Sequence, residues 1–366
     1  MTSHVGNVFW NTIDAIGLCI SRDLIFRATS TKHNIYARGF FARQVLVVAE
    51  TYHLVADLGG TNVRFALVQE GKAVPEHVEK FANNDYDSFE EAAQDYLAKV
   101  DALQPDKACI AVAAPIHGEP INLTNYGWQL SAPALCRQLG LREVVFVNDY
   151  QALALALPDL KSSDRVQIGN HGCGVKHGTR LVIGPGTGLG VCGLVRAGEH
   201  NLPVSGEGGH ISFAARTVQE VELMQAVAGE SSVVSAEWLL NGKGLERLYN
   251  GLAAISGRQA VSISAREISQ QALAGNLACV EALNLYCRFL GRVAGDYALI
   301  FGATGGVYLG GGILRRFPEF LAASPFRSEF DDKGVMGDYA RAIPTFLITA
   351  RHKTLWGACA WLRQGA

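Results

Sequence analysis

The chain has 366 residues, enough for two domains or one large α/β unit, and nearly half of them are apolar, which excludes wholesale disorder. Its formal net charge of −2 gives no case for nucleic acid or anionic membranes as partners, and no apolar stretch reaches the roughly 18 residues that span a bilayer. The eight scattered cysteines, without a Cys-x-x-Cys pair, are typical of a reducing cytosol. We therefore expect a cytoplasmic globular protein.

Residues 1–50 differ from the rest of the chain. They carry more basic than acidic side chains and show no clear hydrophobic periodicity. The favoured interpretation is a disordered extension or a start codon assigned too early. The alternative is a transit peptide, which is typically rich in arginine and poor in acids. We expect the folded body to begin near residue 51.

The first regular feature is a pair of strands, residues 52–57 and 63–68, that flank Asp57-Leu58-Gly59-Gly60-Thr61. The two glycines allow a tight turn and close approach of a ligand to the backbone. Successive N–H groups in such a turn can form an anion-binding nest, and Asp57 stands where a metal ion on bound phosphates could be held. Taken alone, the pattern is more simply an ordinary hairpin.

A helix is predicted after Ser88, which forms a capping box with Glu91. Two apolar strands follow, at 108–114 and 144–147, and a helix is expected at 150–157. These elements continue a regular α/β pattern.

Asn148-Asp149 lies between the strand at 144–147 and the helix that follows it. The carboxyl ends of strands are the usual ligand edge of open α/β sheets, so Asp149 could accept a proton from a substrate hydroxyl. The local pattern leaves open an alternative, in which Asp149 only caps the helix.

A second strand–loop–strand unit spans 180–195, with a glycine-rich loop at 184–190. Its Gly-x-Gly-x-x-Gly run is not a dinucleotide fingerprint, because Val191 and its neighbours continue as a strand instead of a helix. A Walker A pattern is also absent from the sequence. We expect a second phosphate-cradling hairpin, in which Thr187 donates to a phosphate oxygen. Because two such units occur, the chain is expected to contain two similar α/β halves with a cleft between them.

Three further segments carry polar groups suited to a sugar. Gly206-Glu207-Gly208-Gly209-His210 joins an acid to an imidazole, and Glu237 stands at a helix start. These groups could hold vicinal hydroxyls. Taken alone, the first segment is typical of a surface turn. Taken alone, Glu237 is typical of an acid that interacts favourably with the dipole at a helix start. The loop 124–128 mixes an amide, a hydroxyl and an indole, and its Trp128 could equally belong to the core.

The rest of the chain is predicted to be mostly helical, up to a short strand and a closing helix. The predicted helices are 215–228, 235–251, 264–275, 279–300 and 353–362. A strand is predicted at 307–309, between a pair of glycines and a run of three glycines. The helix at 264–275 begins with a Ser264–Glu267 capping box.

The ordered set of loops resembles the bacterial glucokinase family of the actin-like/hexokinase ATPase superfamily. The loops that carry the resemblance are Ala56-Asp57-Leu58-Gly59-Gly60-Thr61, Val147-Asn148-Asp149-Tyr150, Gly184-x-Gly186-Thr187-Gly188-Leu189-Gly190, Gly206-Glu207-Gly208-Gly209-His210 and Gly305-Gly306-Val307-Tyr308-Leu309-Gly310-Gly311-Gly312. The likeness runs from about residue 52 to 363, so it covers everything except the N-terminal extension.

The resemblance implies an α/β protein with the two-domain actin-like/hexokinase (ribonuclease H-like) fold and a ligand cleft between the domains. The small domain would comprise residues 51–159 and 350–366, and the large domain residues 160–349. The implied reaction transfers the γ-phosphoryl of ATP to the 6-hydroxyl of D-glucose. Mg²⁺ would be held mainly by the nucleotide phosphates, with no protein metal site, and the family likeness also allows a homodimer.

The same resemblance assigns residue roles. Asp149 matches the catalytic base. The implied glucose ligands are Asn148, Asp149, Glu207, His210, Glu237 and Asn125. The implied ATP-binding residues are Ala56, Asp57, Leu58, Gly59, Gly60, Thr61, Gly186, Thr187, Gly188, Gly310 and Gly311.

Two alternatives stay open. A broader hexokinase would share these motifs, as would a sugar-responsive regulator of the same superfamily, although such a regulator should carry a basic helix-turn-helix near its N-terminus. Residues 1–50 show no convincing helix pair. Cys173 stands alone, so the zinc motif of the sister family of repressors, open reading frames and kinases is absent from the sequence.

Overall fold

The computed structural model describes residues 50–365, apart from 101–102, 117, 124–126, 170–171, 173, 231 and 260. The interpretations of residues 1–49, Asn125 and Cys173 therefore lie outside the described residues. Residues 49–366 group as one compact unit, to which the following description applies.

The strands and helices of this unit are numbered in chain order. The strands are β1 Tyr52–Leu58, β2 Asn62–Gln69, β3 Glu76–Ala82, β4 Pro105–Val112, β5 Ile121–Asn122, β6 Gln129–Leu130, β7 Glu143–Asn148, β8 Arg165–Ile168, β9 Arg180–Pro185, β10 Leu189–Ala197, β11 His200–Ser205, β12 Gly306–Leu309 and β13 Thr345–Ile348. The helices are α1 Phe89–Lys99, α2 Ala132–Leu139, α3 Asp149–Ala156, α4 Val218–Ala228, α5 Ala236–Leu239, α6 Gly242–Ile255, α7 Ala265–Leu273, α8 Leu277–Phe301, α9 Pro318–Ala323, α10 Phe326–Asp331, α11 Gly337–Ala342 and α12 Lys353–Arg363.

Two large sheets repeat one strand arrangement. The first has the order β3-β2-β1-β4-β7, and the second has the order β11-β10-β9-β12-β13-β8. In each, an antiparallel three-stranded meander is followed by two parallel strands, and β8 is added to the second as an antiparallel edge. The expectation of two similar halves is therefore confirmed at the level of the sheets.

The central strands have nearly continuous apolar sequences because both of their faces are buried. Leu54, Val55 and Ala56 of β1 are fully buried, because β1 lies between two partner strands and is covered on both faces. One face of β1 contributes to a core with α1 and α2, and the other packs on α12. A separate large core surrounds the long helix α8.

Helices α3 and α12 lie against each other between the two sheets. Apolar side chains from α12 pack on the first sheet, and those from α3 pack largely on the second. The helices cross closely at Gly357, where an added Cβ would lie 1.6 Å from the carbonyl oxygen of Ala152. The loops that enter these helices are thereby brought to one region of the molecule. The predicted domain boundaries at 159 and 349 stay a prediction.

Most predicted elements are present, with some changes of boundary. The segment predicted as one helix at 235–251 is two helices, α5 and α6, because the side chain of Asn241 accepts the N–H of Gly244 and starts a new helix. The Ser264–Glu267 capping box is confirmed. Ser88 caps α1 as expected, but Glu91 accepts the N–H of Asp87, not that of Ser88.

Among the elements that sequence analysis missed are five strands, β3, β6, β8, β11 and β13, and four helices, α2, α9, α10 and α11. The buried strand β13 has only four residues, too few for a periodic pattern. Among the described residues, no helix combines the length and the apolar character that crossing a membrane requires.

Candidate active site

Asp149 is the first residue of α3, at the point where β7 ends. Asn148 supplies the helix cap, because its Oδ1 accepts the N–H of Tyr150 at 2.9 Å and its own N–H is accepted by Gln151 Oε1 at 3.0 Å. Asp149 Oδ1 also accepts the N–H of Tyr150, at 3.0 Å. Since Asn148 already caps α3, the helix does not depend on the Asp149 carboxylate, which lines a cavity.

The surroundings of Asp149 favour its protonated form. Burial raises its pKa to about 7, the negative charge of Asp57 adds to the increase, and the backbone N–H groups at the start of α3 oppose it. A carboxyl group with a pKa near neutrality can accept a proton and release it again at physiological pH.

Asp57 stands at the end of β1 and pairs with Arg64 of β2, with Nη1 3.3 Å from Oδ2. Burial raises the pKa of Asp57, while the charge of Arg64 and its hydrogen bond oppose that increase. Asp57 and Asp149 line the same cavity, so two carboxylates and one guanidinium meet at its base.

Asn83 holds the loop of the first hairpin from the side. Its Nδ2 donates to the carbonyl oxygen of Gly59 at 3.0 Å, and its backbone N–H donates to that of Thr61, also at 3.0 Å. Within the loop, the side-chain amide of Asn62 donates to Thr61 Oγ1 at 2.7 Å. The exposed turn is thus anchored by a residue that is 1% exposed.

Tyr150 connects the base to the second hairpin. Its hydroxyl donates to the carbonyl oxygen of Gly184, and its ring lies over Gly190, where an added Cβ would approach it to 2.0 Å. Gly190 is therefore required by a protein contact, not by a ligand. At the tip of the same loop, a Cβ on Gly186 would meet nothing, so the turn beside Thr187 faces open space.

Glu207, His210 and Glu237 come together as one group. His210 Nδ1 lies 3.8 Å from Glu207 Oε2, and His210 Nε2 lies 3.9 Å from Glu237 Oε1. Glu237 Oε2 accepts the N–H of Leu189 at 2.8 Å, and its carboxylate fills the space beside Gly188. Of the two acids predicted to bind a sugar, Glu237 is therefore bonded directly to the second glycine hairpin.

A cavity of about 910 Å³ opens in front of Asp57 and Asp149. Its far wall contains Gly310 and Gly311, which follow β12, and the loop that follows β13. The predicted nucleotide loops at 57 and 310–311 thus share one cavity with the predicted base. The group of Glu207, His210 and Glu237 is not part of its lining.

The remaining predicted site residues have different surroundings. Ala56 and Leu58 bury their side chains in the first core, so they support β1 and do not point at the cavity. Trp128 is 4% exposed and belongs to the same core, as the alternative interpretation had it. Asn148 uses its side chain for the cap and for a 3.3 Å bond from Nδ2 to the carbonyl oxygen of Ala114.

Sequence reasoning missed three residues that organise the site. Asn83 and Tyr150 hold the two hairpins, and Gln151 donates from Nε2 to Ser205 Oγ at 2.8 Å, just before the Glu207 loop. Only Gln151 had a local signal, because a glutamine three residues after an Asn cap completes a capping box.

Metal chemistry at this site would have to rely on few protein ligands. Among the described residues, no group of three or more His, Cys, Asp or Glu side chains could hold a metal ion. The carboxylate that lines the cavity beside Asp149 is Asp57. One carboxylate fits Mg²⁺, which is usually held by one or two carboxylates together with substrate phosphates.

Comparison with known sequences identifies close relatives. A family model described as glucokinase matches residues 54–365. The glucokinase of Saccharophagus degradans is 39% identical over 316 residues, which are 85% of this chain and 98% of the relative. The glucokinase of Aromatoleum aromaticum is 41% identical over 319 residues, 86% of this chain and 96% of the relative.

Comparison with solved structures agrees. The crystal structure of a glucokinase from an Antarctic psychrotroph superposes with a TM-score of 0.79 at 38% identity, covering 86% of this chain and 99% of that one. A ROK family glucokinase from Streptomyces griseus, solved with glucose and AMPPNP, superposes with a TM-score of 0.59 at 20% identity, covering 86% and 100% of the two chains. At that identity the second likeness shows the fold alone.

Proposed function

The chain belongs to the glucokinase family and transfers the γ-phosphoryl group of ATP to glucose, and we propose that Asp149 is the base of this reaction. The observation that carries the proposal is the carboxyl group at the start of α3, which lines the cavity beside Asp57 and has a pKa of about 7. A base with this pKa is half ionised near neutral pH and therefore able to accept a hydroxyl proton.

In the proposed step, the 6-hydroxyl oxygen of glucose attacks the γ-phosphorus as the bond from that phosphorus to the β,γ-bridging oxygen breaks. Asp149 takes the hydroxyl proton, and ADP leaves with the electron pair of the broken bond. Little covalent work is asked of the protein, so positioning and neutralisation of charge supply most of the acceleration.

Glu207, His210 and Glu237 are proposed to hold the sugar hydroxyls, with the remaining hydrogen-bonding capacity of Asn148. Their mutual distances of 3.8 and 3.9 Å support one shared binding surface. Acceptors aimed at different hydroxyls discriminate strongly between sugars once the bound sugar covers them, because a missing hydroxyl then leaves an acceptor unpaired.

The two glycine hairpins are proposed to hold the phosphates of ATP through backbone N–H groups at 59–61 and 186–188. The wall with Gly310 and Gly311 would lie against the nucleoside. Mg²⁺ would be held by the phosphates beside Asp57 and would neutralise their charge. Closure around both substrates would keep water from replacing the sugar.

The cytoplasm is the proposed location, because ATP is available there and the six cysteines described in the structure are free thiols. A homodimer stays a prediction.

The proposal is tested by a coupled assay for glucose 6-phosphate with ATP and Mg²⁺. Wild-type protein and Asp149→Asn are compared at equal concentrations. The expected result is glucose-dependent turnover that the substitution abolishes almost completely. Turnover close to normal in the variant would remove Asp149 from the role of base.

A further inference from the structure

The cavity in front of Asp149 carries an excess of positive charge. Among the described residues that line it are three acids, Asp57, Glu79 and Asp149. Its basic lining residues are Arg64, Lys80, Arg315, Arg316, Arg351 and Lys353, together with His352. Lys353 is buried and pairs with Asp164 at 3.1 Å, so it adds little to the field in the cavity. The arginines remain as the main source of the excess.

Three of these arginines converge from different elements. Arg64 comes from β2 in the first sheet. Arg315 belongs to the turn after β12, and Arg351 belongs to the loop after β13. Arg315 Nη1 donates to the carbonyl oxygen of Ala350 at 3.2 Å, which joins the two loops. Because β12 and β13 are neighbouring parallel strands, both loops lie at the ligand edge of the sheet.

Arg315 and Arg351 line the same cavity and lie close enough for their positive charges to interact. Within the part of the chain that the structure describes, neither forms an ion pair with a carboxylate, whereas Arg64 has Asp57 as its partner. The pKa of Arg315 is lowered by partial burial and then by the positive charges of Arg351 and Arg64. Like charges gathered in this way repel one another unless an anion joins them.

The start of α12 adds a second feature that favours an anion. This helix has 11 residues and no side-chain cap, and it is preceded by His352 in a left-handed conformation with φ of 59°. His352, Lys353 and Thr354 all line the cavity. The N–H groups and the positive end of the helix dipole therefore point to the same place as the arginines.

We propose that Arg315 and Arg351, acting with Arg64 and the start of α12, form an oligophosphate subsite that binds the phosphate chain of the phosphoryl donor together with the backbone N–H groups of the two glycine hairpins. Guanidinium groups match phosphate oxygens in a bidentate manner, and several of them spaced around a cavity favour a chain of phosphates over a single one. This inference rests on the proposed donor site. Its consequence is that the protein binds an uncomplexed oligophosphate anion even when Mg²⁺ is absent.

The test is direct binding by titration calorimetry in the presence of a chelator, without turnover. ADP, AMP and inorganic tripolyphosphate are titrated into wild-type protein and into the Arg315→Ala/Arg351→Ala variant. We expect wild-type protein to bind ADP and tripolyphosphate more tightly than AMP. The double variant should lose about tenfold or more in affinity for both, since hydrogen bonds to two charged groups are removed. Binding to wild-type protein should also weaken as salt is raised.

A matched control removes two positive charges elsewhere. Arg137 on α2 and Arg266 on α7 are exposed and do not line the cavity. Arg137→Ala/Arg266→Ala should bind both ligands as wild-type protein does. The charge-conserving variant Arg315→Lys/Arg351→Lys should recover part of the affinity. Glucose binding and thermal unfolding of each variant show that it is folded.

The outcomes separate this inference from the proposed base. Arginine-dependent binding of ADP and tripolyphosphate assigns the subsite to any oligophosphate, whereas such binding of ADP alone assigns it to the nucleotide. Equal affinity of wild-type protein and the double alanine variant for both ligands overturns the inference and leaves the role of Asp149 intact. Asp149→Asn should lose turnover but still bind tripolyphosphate, so failure of the proposed base would appear in the activity assay only.

Discussion

The hydroxyl of Tyr150 donates a hydrogen bond to the carbonyl oxygen of Gly184, so the residue after Asp149 is fastened to the second glycine hairpin. The carboxylate and the hairpin belong to different sheets. Tyr150 also packs on Gly190, so the residue after the proposed base contacts two glycines of this hairpin. These contacts link two loops that are far apart in the sequence and that we propose to act on one phosphoryl group.

The substitution Asp149→Asn should lower kcat by on the order of 10²–10⁴, which is the usual contribution of a positioned general base. Folding should be preserved, because Asn148 supplies the cap of α3. The kinetic measurement is paired with circular dichroism and a glucose titration. A folded variant with nearly normal kcat would contradict the assignment. In wild-type protein, kcat/KM should fall as the pH drops below about 7, the pKa of this group.

The pH dependence of stability should carry the signature of the same carboxyl group. Its pKa is about 7 in the folded protein and 3.8 for an unperturbed aspartate, so the folded state retains a proton that the unfolded state releases. The stability that this group contributes is fully present below pH 3.8 and is lost as the pH rises through about 7. From about pH 4 to about pH 7, the Tm of wild-type protein should therefore decline relative to that of Asp149→Asn, and above about pH 7 the difference should level off. Parallel Tm curves for the two proteins would mean that Asp149 is already ionised in the folded state.

Substitutions of Glu207 and of Glu237 should differ in their effect on the affinity for ATP. Glu207→Ala should weaken glucose binding by roughly 1.5–3 kcal/mol, as for a lost charged hydrogen bond, and leave ATP affinity unchanged. Glu237→Ala should weaken both, because Glu237 also accepts the N–H of Leu189 in the second hairpin. Calorimetric titrations with each ligand measure the difference. Glu237→Gln serves as the control, since its amide oxygen can still accept that N–H.

The crossing of α3 and α12 should tolerate no added volume. In Gly357→Ala, the new Cβ would lie 1.6 Å from the carbonyl oxygen of Ala152, so the two helices would have to separate. We expect a loss of about 3 kcal/mol in the free energy of unfolding, at the upper end for overpacking. Gly242→Ala is the matched control, because its Cβ would meet only Ile313 Cδ1, at 3.9 Å. The free energies of unfolding of both variants are measured by urea denaturation. Equal stability of the two variants would mean that the crossing of the helices tolerates the added methyl group.

Removal of the first 46 residues should leave the enzyme active. Each of the described residues assigned to the site lies in the unit 49–366, and β1 begins at Tyr52. A chain that starts at Val47 should retain the Tm and kcat of the full chain. Loss of folding or of activity would mean that residues 1–46 pack on the kinase body. Cleavage near residue 40 inside an organelle would instead support the transit peptide.

The sequence by itself was sufficient for features with a short-range cause. The two glycine hairpins followed from apolar strands on either side of turn residues, and both form as expected. The cap of α7 followed from Ser264 and Glu267. The glycine loops, Asn148-Asp149 and the Glu207 loop led to the family, because their order along the chain is specific even where each motif is weak.

Local patterns were insufficient where a role depends on a distant partner. The local pattern allowed Asp149 to be a base or a cap, and the proposal that it is a base draws on its burial and on the charge of Asp57, which lies far from it in the sequence. Asn83 lies 24 residues beyond Gly59, and nothing in its neighbourhood indicates that it anchors that turn. The break between α5 and α6 was hidden inside a continuous apolar pattern, since one asparagine cap decided it.

Only the tertiary structure decided which charged groups lie close enough to interact. The pKa of Asp149 depends on burial and on Asp57, which is brought close by the parallel strands β1, β4 and β7. The meeting of Arg64, Arg315 and Arg351 depends on a strand of the first sheet and on loops of the second sheet that lie hundreds of residues away in the chain. Electrostatic interactions act through space, and no periodicity along the sequence encodes which groups will face one cavity.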